Sequence, residues 1–373
     1  MKKRVGMTSF HESTSFGGTL QCVALQHVIK GMGYEAEFID FRRNECIALH
    51  SNKKNTIKQN MIAFSQALDN ALHKQDKIIV RDLFNEFKAK TISIGTTLYS
   101  DIDALYGKPP IYDVYLTGSD QVWNPYSSFL KVYGLGFAET NKIAYAASIG
   151  VSEIPDSKKQ YMTDNISGFE AISCREIEGC NALEQLLNRP VINVLDPTLL
   201  IDKQEWSKIS TAGSVVKEKY LLCFFLGSLS YSRQIAKKIA REHNLRIVMI
   251  PGSPKDMLRF GYLVKGCGPS EFLNLFMNAD FICTDSFHGT AFSINMNKPF
   301  YSFCRRGYNE RTSYISRIVD LLQLLGIEDR LVYPDSNIDN NILPIDYESI
   351  NKALDEERKK SRDFLRRALD GES

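Results

Sequence analysis

Phe281 to Ser293 reads FICTDSFHGTAFS. Phe281 to Thr284 form a short unbroken apolar run, the mark of a buried strand rather than a helix. Asp285, Ser286, Phe287 and His288 make a turn, and Gly289 and Thr290 open the helix that follows. A strand, a polar turn and a helix start in immediate succession are the unit of a parallel α/β sheet. The unpaired N–H groups and the dipole at such a helix start favour an anion, phosphate above all. Gly289 would let a ligand approach the backbone. His288 stands beside that anion, and imidazole is the side chain best suited to proton transfer near neutral pH. A structural histidine closing the turn is the alternative.

Outward from this stretch the same alternation repeats. Strands are expected at Tyr220 to Leu226, Arg246 to Ile250 and Pro299 to Phe303. Helices are expected at 231–243, Pro269 to Asn278, 289–296 and 313–325. Residues 347 to 369 form a long charged helix. Towards the N-terminus, Arg4 to Met7, Ala36 to Phe41, Tyr112 to Thr117, Ile143 to Ser148, Ala171 to Cys174 and Val191 to Val194 read as strands. Helical spacing runs from Leu20 to Met32 and recurs at 57–90, 158–169 and 177–187. The polar stretch 202–218 is the best domain boundary. The expected fold is therefore α/β: two Rossmann-like domains, 1–205 and 219–335, in a GT-B-type arrangement. Residues 345–373 pack back on the first domain, and the active site lies in the interdomain cleft.

Three more loops carry chemistry. Tyr115 to Asn124 (YLTGSDQVWN) places Gly118, Ser119, Asp120 and Gln121 at a strand's carboxyl end. Asp120 can take protons or hydrogen bonds from sugar hydroxyls, and Trp123 can stack on a sugar face; an Asx turn with Trp123 in the core is equally compatible. Ala171 to Gly179 (AISCREIEG) delivers Arg175 beside Glu176. That Arg either grips a carboxylate or phosphate or pairs with Glu176 on the surface. Phe10 to Gly18 (FHESTSFGG) offers His11, Glu12, Ser13, Ser15, Gly17 and Gly18 before a helix. It does not fit G-x-G-x-x-G, and no Walker loop, HExxH or zinc pattern occurs.

Composition excludes several classes. The 373 residues are 43% hydrophobic and 24% charged, as in ordinary globular chains, and the net charge of +2 argues against nucleic acid as the main partner. The basic start MKKRVGMTSF lacks the apolar core of a signal peptide. No apolar run approaches the roughly 20 residues of a membrane span. The eight cysteines form no CxxC pair and read as buried, reduced thiols of a cytoplasmic protein. Two basic stretches, 53–90 and Glu356 to Arg367, are candidates for contact with an anionic membrane surface; ordinary solvated helix faces are the simpler reading.

These residues together resemble the polysaccharide pyruvyl transferase family. The similarity is carried by 15–41, DVYLTGSDQVWNP (113–125), KIAYAASIG (142–150), ISCREIEG (172–179), VLDPTLL (194–200) and 271–294. The resemblance implies a GT-B-like fold. It also implies transfer of a pyruvyl group from phosphoenolpyruvate to two hydroxyls of a sugar, closing a cyclic ketal and releasing phosphate. No cofactor is implied beyond this co-substrate. The acceptor would be a surface polysaccharide or its precursor; with an undecaprenyl-diphosphate-linked precursor the enzyme would work at the inner face of the membrane.

The family's histidine falls on His288 and its mid-chain arginine on Arg175. Many members have Arg-Leu-His-Gly where this chain has Ser286-Phe287-His288-Gly289. Ser286 with backbone amides, or Arg305, Arg306 or Arg311, would replace the missing charge. Members usually carry Asn where Ser15 stands. On this reading His288 is the acid, at C3 or for the departing phosphate, Asp120 or Glu12 the base, and Arg175 with the start of the helix at Gly289 and Thr290 holds the donor. The rival readings are a nucleotide-sugar glycosyltransferase on the same scaffold and a non-catalytic sugar-binding module.

Overall fold

The computed structural model describes residues 2–43, 74–210, 213, 215–227, 229–251, 261–264, 266–305, 313–336 and 344–372. Two parallel sheets form the frame. The first contains β1 (Arg4–Thr8), β2 (Glu35–Phe41), β3 (Ile94–Tyr99), β4 (Val114–Thr117), β5 (Lys142–Ala144), β6 (Ala171–Cys174) and β7 (Ile192–Asn193), in the order β3-β2-β1-β4-β5-β6-β7. The second contains β8 (Tyr220–Phe224), β9 (Arg246–Ile250), β10 (Tyr262–Leu263), β11 (Phe281–Thr284), β12 (Phe300–Phe303) and β13 (Leu331–Val332), in the order β10-β9-β8-β11-β12-β13. Counted within its own domain, each sheet starts 3-2-1-4-5-6, the Rossmann order. All the strand pairings given between them are parallel.

Central parallel strands are covered on both faces and so read as unbroken apolar runs. That is why β8 (YLLCF) and β11 (FICT), buried at every position, stood out in the sequence. In this order the strand direction of growth reverses between β1 and β4 and again between β8 and β11. Ligands of open α/β sheets bind at the carboxyl ends of such reversal points. The loops after β1, β4, β8 and β11 are therefore the ones that face the cleft.

The expected strands and helices are present with small shifts in their ends. β3, β10 and β13 and the short helices Ile102–Gly107, Leu130–Tyr133, Pro197–Leu200 and Lys203–Ile209 are additions. Lys203–Ile209 lies inside the polar stretch taken as a boundary. It is anchored by Trp206, fully buried, whose ring meets Phe292 of the second domain at 5.2 Å. The first half of the helical run expected at 57–90 lies outside the described residues. Its second half is the helix Lys74–Thr91.

The domains are joined by an aromatic seam. Phe16, at the start of the helix Phe16–Gly31, stacks on Phe272 at 4.5 Å and meets Phe224 and Phe84 at 5.9 and 5.2 Å. The helix Tyr347–Asp370 straps the two domains together. Near its start the Tyr347 hydroxyl donates to the Lys298 carbonyl of the second domain. At its end Lys3 of the first domain donates to the Leu369 and Asp370 carbonyls. Between these ends Arg358 donates to the Leu199 carbonyl (2.7 Å) and to Asn295 (2.8 Å), and Arg362 to the Leu200 carbonyl. These two arginines of the basic tail are thus tied to the body of the protein. No helix among the described residues is long and apolar enough to cross a membrane. The described cysteines are all buried and no disulfide joins them.

Candidate active site

The turn after β11 is organised by its own residues. Ser286 caps the helix Phe287–Asn295, its Oγ accepting from the Gly289 N–H. The Asp285 carboxylate accepts from the Leu226 and Gly227 amides at 2.6 and 2.8 Å. It thereby ties the loop after β8 to the loop after β11, and burial pushes its pKa up. Arg305, expected as a donor-binding charge, gives its Nε to the Asp285 carbonyl at 3.1 Å. Arg306 and Arg311 lie outside the described residues.

Two expectations on this helix are corrected. A Cβ on Gly289 would lie 2.1 Å from Thr284 Oγ1, so the glycine is required by helix-on-strand packing rather than by a ligand's approach. The Thr290 hydroxyl bonds to the Ser286 carbonyl and to Ser302 Oγ; it is fully buried and structural. Gly289→Ala should therefore destabilise the protein by about 1–3 kcal/mol through overpacking, read as a lower urea midpoint. A wild-type midpoint would show that β11 and the helix can part without loss.

The first domain supplies a group of carboxylates. Arg175 follows β6, and its side chain is 1% exposed. Its Nη1 donates to Asp196 at 2.7 Å, its Nε to Glu176 at 3.0 Å and its Nη2 to Asp120 at 3.2 Å. These three carboxylates hold the guanidinium pKa above its ordinary value despite burial. Neither sequence reading of Arg175 survives unchanged: it is not a surface Arg, and its fork is committed to protein carboxylates. Ser148 Oγ donates to Glu176 at 2.5 Å, and the Thr198 N–H and hydroxyl donate to Asp196 at 2.9 and 2.7 Å.

The second domain closes over this group with His288, Phe287 and Arg317. The Arg175 and Arg317 guanidiniums lie 5.2 and 5.7 Å from the Phe287 ring centre, so Phe287 is a hydrophobic wedge between two cations. Arg317 Nε is 3.9 Å from Glu176. Burial, with Arg175 nearby, brings the Arg317 pKa down to about 10. His288 Nε2 lies 3.8 Å from Asp196 Oδ2, is buried and has no hydrogen-bond partner. Burial lowers the His288 pKa, opposed by Asp196 and Asp120. The Asp120 carboxyl is held below its ordinary value against burial, by Arg175 first and then by His288 and Arg317.

The loop after β1 meets His288 from the other side. A Cβ on Gly17 would lie 2.1 Å from His288 Nδ1, so glycine is needed there for the domains to meet. Ser15 caps its helix by accepting from the Gly18 N–H at 3.2 Å, and Gly18 is needed because a Cβ would crowd Ser15 Oγ at 2.7 Å. The carboxylate of Glu12, the other base candidate, pairs with Arg43 at 2.8 Å. Trp123 is corrected as a sugar platform: it is fully buried, its indole N–H bonds to the Tyr133 carbonyl and its ring meets Phe169 edge-on. Gln121, half-buried, packs on Gly150. A cavity of about 460 Å³ lies between the domains nearby, lined by Phe16, Arg81 and Phe84 on one side and Ile250, Leu263 and Val264 on the other.

Asp196 and Arg317 were not singled out as site residues in the sequence. Asp196 had a signal: Asp-Pro-Thr after a strand is a helix cap with Pro at the first position. Arg317 had none, since one Arg on an amphipathic helix looks like any solvated charge.

The model of the family described as polysaccharide pyruvyl transferase matches residues 16–303. The chain belongs to this family. Transferase activity follows from that membership, and so does a part in polysaccharide biosynthesis. The match takes in the loops after β4, β6, β8 and β11 and begins with the helix Phe16–Gly31, past the loop after β1. Arg317 and the helix Tyr347–Asp370 of this pyruvyl transferase family member lie beyond it. Among solved structures, similar ones include Arabidopsis thaliana UGT89C1 complexed with UDP-L-rhamnose, at 13% identity and TM-score 0.49, covering 100% of both chains. Another is the UDP-GlcNAc 2-epimerase from Methanocaldococcus jannaschii, at 13% identity and TM-score 0.47, covering 95% of this chain and 92% of that one. No curated protein matches the chain in sequence.

Proposed function

We propose that the cleft transfers the pyruvyl group of phosphoenolpyruvate to two hydroxyls of a sugar in a surface polysaccharide or its precursor. The observation that carries this reading is His288: a largely enclosed imidazole with a buried, unpartnered Nε2, at a helix start, facing two carboxylates of the opposite domain. The reaction needs an acid at C3 of the donor and a cradle for its anion. The amides of Phe287 and His288 open their helix and have no intrahelical partner, so they favour the phosphate. Arg317 replaces the charge that Ser286 lacks relative to the motif Arg-Leu-His-Gly. Arg175 acts at one remove, by holding Asp120 and Asp196 ionised.

In the first step the C2–C3 double bond takes a proton from the His288 imidazolium, leaving neutral imidazole and an oxocarbenium-like C2. A sugar hydroxyl attacks C2 and its proton passes to Asp120. The low basicity of Asp120 suits it to accept that proton only as the new C–O bond forms. The second hydroxyl then attacks C2 as the C–O bond to phosphate breaks, and its proton leaves with the phosphate. An undecaprenyl-diphosphate-linked acceptor would place this chemistry at the inner face of the membrane.

Calorimetric titration of phosphoenolpyruvate, with UDP-galactose as control, tests the donor without knowledge of the acceptor. Wild type should bind phosphoenolpyruvate, and Arg317→Met should bind it at least tenfold more weakly, a loss of about 1.4 kcal/mol. UDP-galactose binding without phosphoenolpyruvate binding would replace this reading with a nucleotide-sugar glycosyltransferase.

A further inference from the structure

The two ring nitrogens of His288 face different surroundings. Nδ1 lies against Gly17, in the first turn of the helix Phe16–Gly31. A helix start presents N–H groups without intrahelical partners and the positive end of the dipole. Such a surrounding makes Nδ1 the nitrogen of the imidazolium that gives up its proton first, leaving the lone pair there. Nε2 is buried without a hydrogen-bond partner and lies 3.8 Å from Asp196 Oδ2.

Asp196 is built to keep that oxygen in place. Its Oδ1 accepts from the Thr198 N–H and hydroxyl, and its Oδ2 from Arg175 Nη1. The preceding residue is held on both sides of its backbone: the Leu195 N–H donates to Ser361 Oγ, and the Leu195 carbonyl accepts from the Tyr145 hydroxyl. Four charged groups bear on the imidazole. Asp196 before the helix Pro197–Leu200 and Asp120 after β4 favour its charged form. Arg175 after β6 and Arg317 on the helix Ser313–Leu324 oppose it, as does burial.

We infer that Asp196 is a positioning residue for His288: across the domain boundary its Oδ2 selects the Nε2–H form of the imidazole and sustains the added proton until the donor arrives. The inference deepens the acid role proposed for His288 and rests on it for its catalytic meaning. The pairing exists only while the two domains are together, because Asp196 belongs to one and His288 to the other.

The test is long-range ¹H–¹⁵N spectroscopy of the imidazoles in the full chain, with His288 assigned by His288→Gln. Wild type should show the Nε2–H tautomer above the titration midpoint. Asp196→Asn should lower that midpoint, and Asp196→Glu, which keeps the charge, should restore it. In rate measurements the high-pH limb of kcat/KM should move to lower pH in Asp196→Asn. A merely structural Asp196 would lower the rate equally at all pH and leave the midpoint in place, overturning the inference. An Nδ1–H tautomer in wild type would overturn it too, even if Asp196→Asn fails to fold. These spectra need no donor. If they come out as expected while phosphoenolpyruvate releases no phosphate, the pairing stands and the transfer reading falls.

Discussion

Replacing His288 by Gln should slow phosphate release from phosphoenolpyruvate, in the presence of the acceptor polysaccharide, by about 10²-fold or more. Gln keeps a polar group of similar reach at the helix start but cannot carry a titrating proton. The effect should fall on kcat and kcat/KM alike, because the proton is needed in the transition state and not for donor binding. The sign of the pH dependence follows from the surroundings. Burial lowers the His288 pKa, so the acid form is favoured as pH falls, and the wild-type rate should decline as pH rises. Removing His288 should remove that decline. A variant with near-wild-type rate would take His288 out of the chemistry.

Arg175→Met should destabilise the protein by about 3–5 kcal/mol, more than Gly289→Ala. The guanidinium is buried and joins Asp120, Glu176 and Asp196. Met fills its volume and leaves three carboxylates in a poorly solvated place without their cation. The loss should depend on pH in a defined direction. In wild type, Arg175 is among the groups that lower the Asp120 and Asp196 pKa values. That contribution is present above the unfolded-state carboxylate pKa and is lost as pH falls through the folded values. The gap between wild type and Arg175→Met should therefore be widest at neutral pH and narrow on acidification, as read by urea midpoints. A small loss at neutral pH would mean that water reaches these carboxylates in solution. The same reasoning bars Arg175→Ala as a clean probe of donor binding.

The frame of this protein was legible because its central strands are buried on both faces. An unbroken run such as YLLCF at β8 can be little else, and the loops that follow such strands are the ones at the sheet reversal points. β3 escaped because it is an edge strand, exposed at most of its positions, and IGTTLY carries no clear apolar pattern. Single residues of the site were harder to place. Asp120, Arg175 and His288 were found because each follows a strand. Whether Trp123 faced a sugar or the core depended on packing around Tyr133 and Phe169, which no local spacing encodes. Glu12 looked available until Arg43, far along the chain, was seen to hold it. Arg317 was invisible because its burial comes from the other domain.

The strap at Tyr347–Asp370 sets a timetable. Leu195, next to Asp196, is fixed by Ser361, and the short helix after it by Arg358 and Arg362. On a ribosome these partners emerge about 10–35 s after Asp196 does. Throughout that interval the first sheet can be complete while the Asp196 turn lacks its brace. A nascent chain of this protein would thus carry a loosely held Asp196 turn until the helix Tyr347–Asp370 docks.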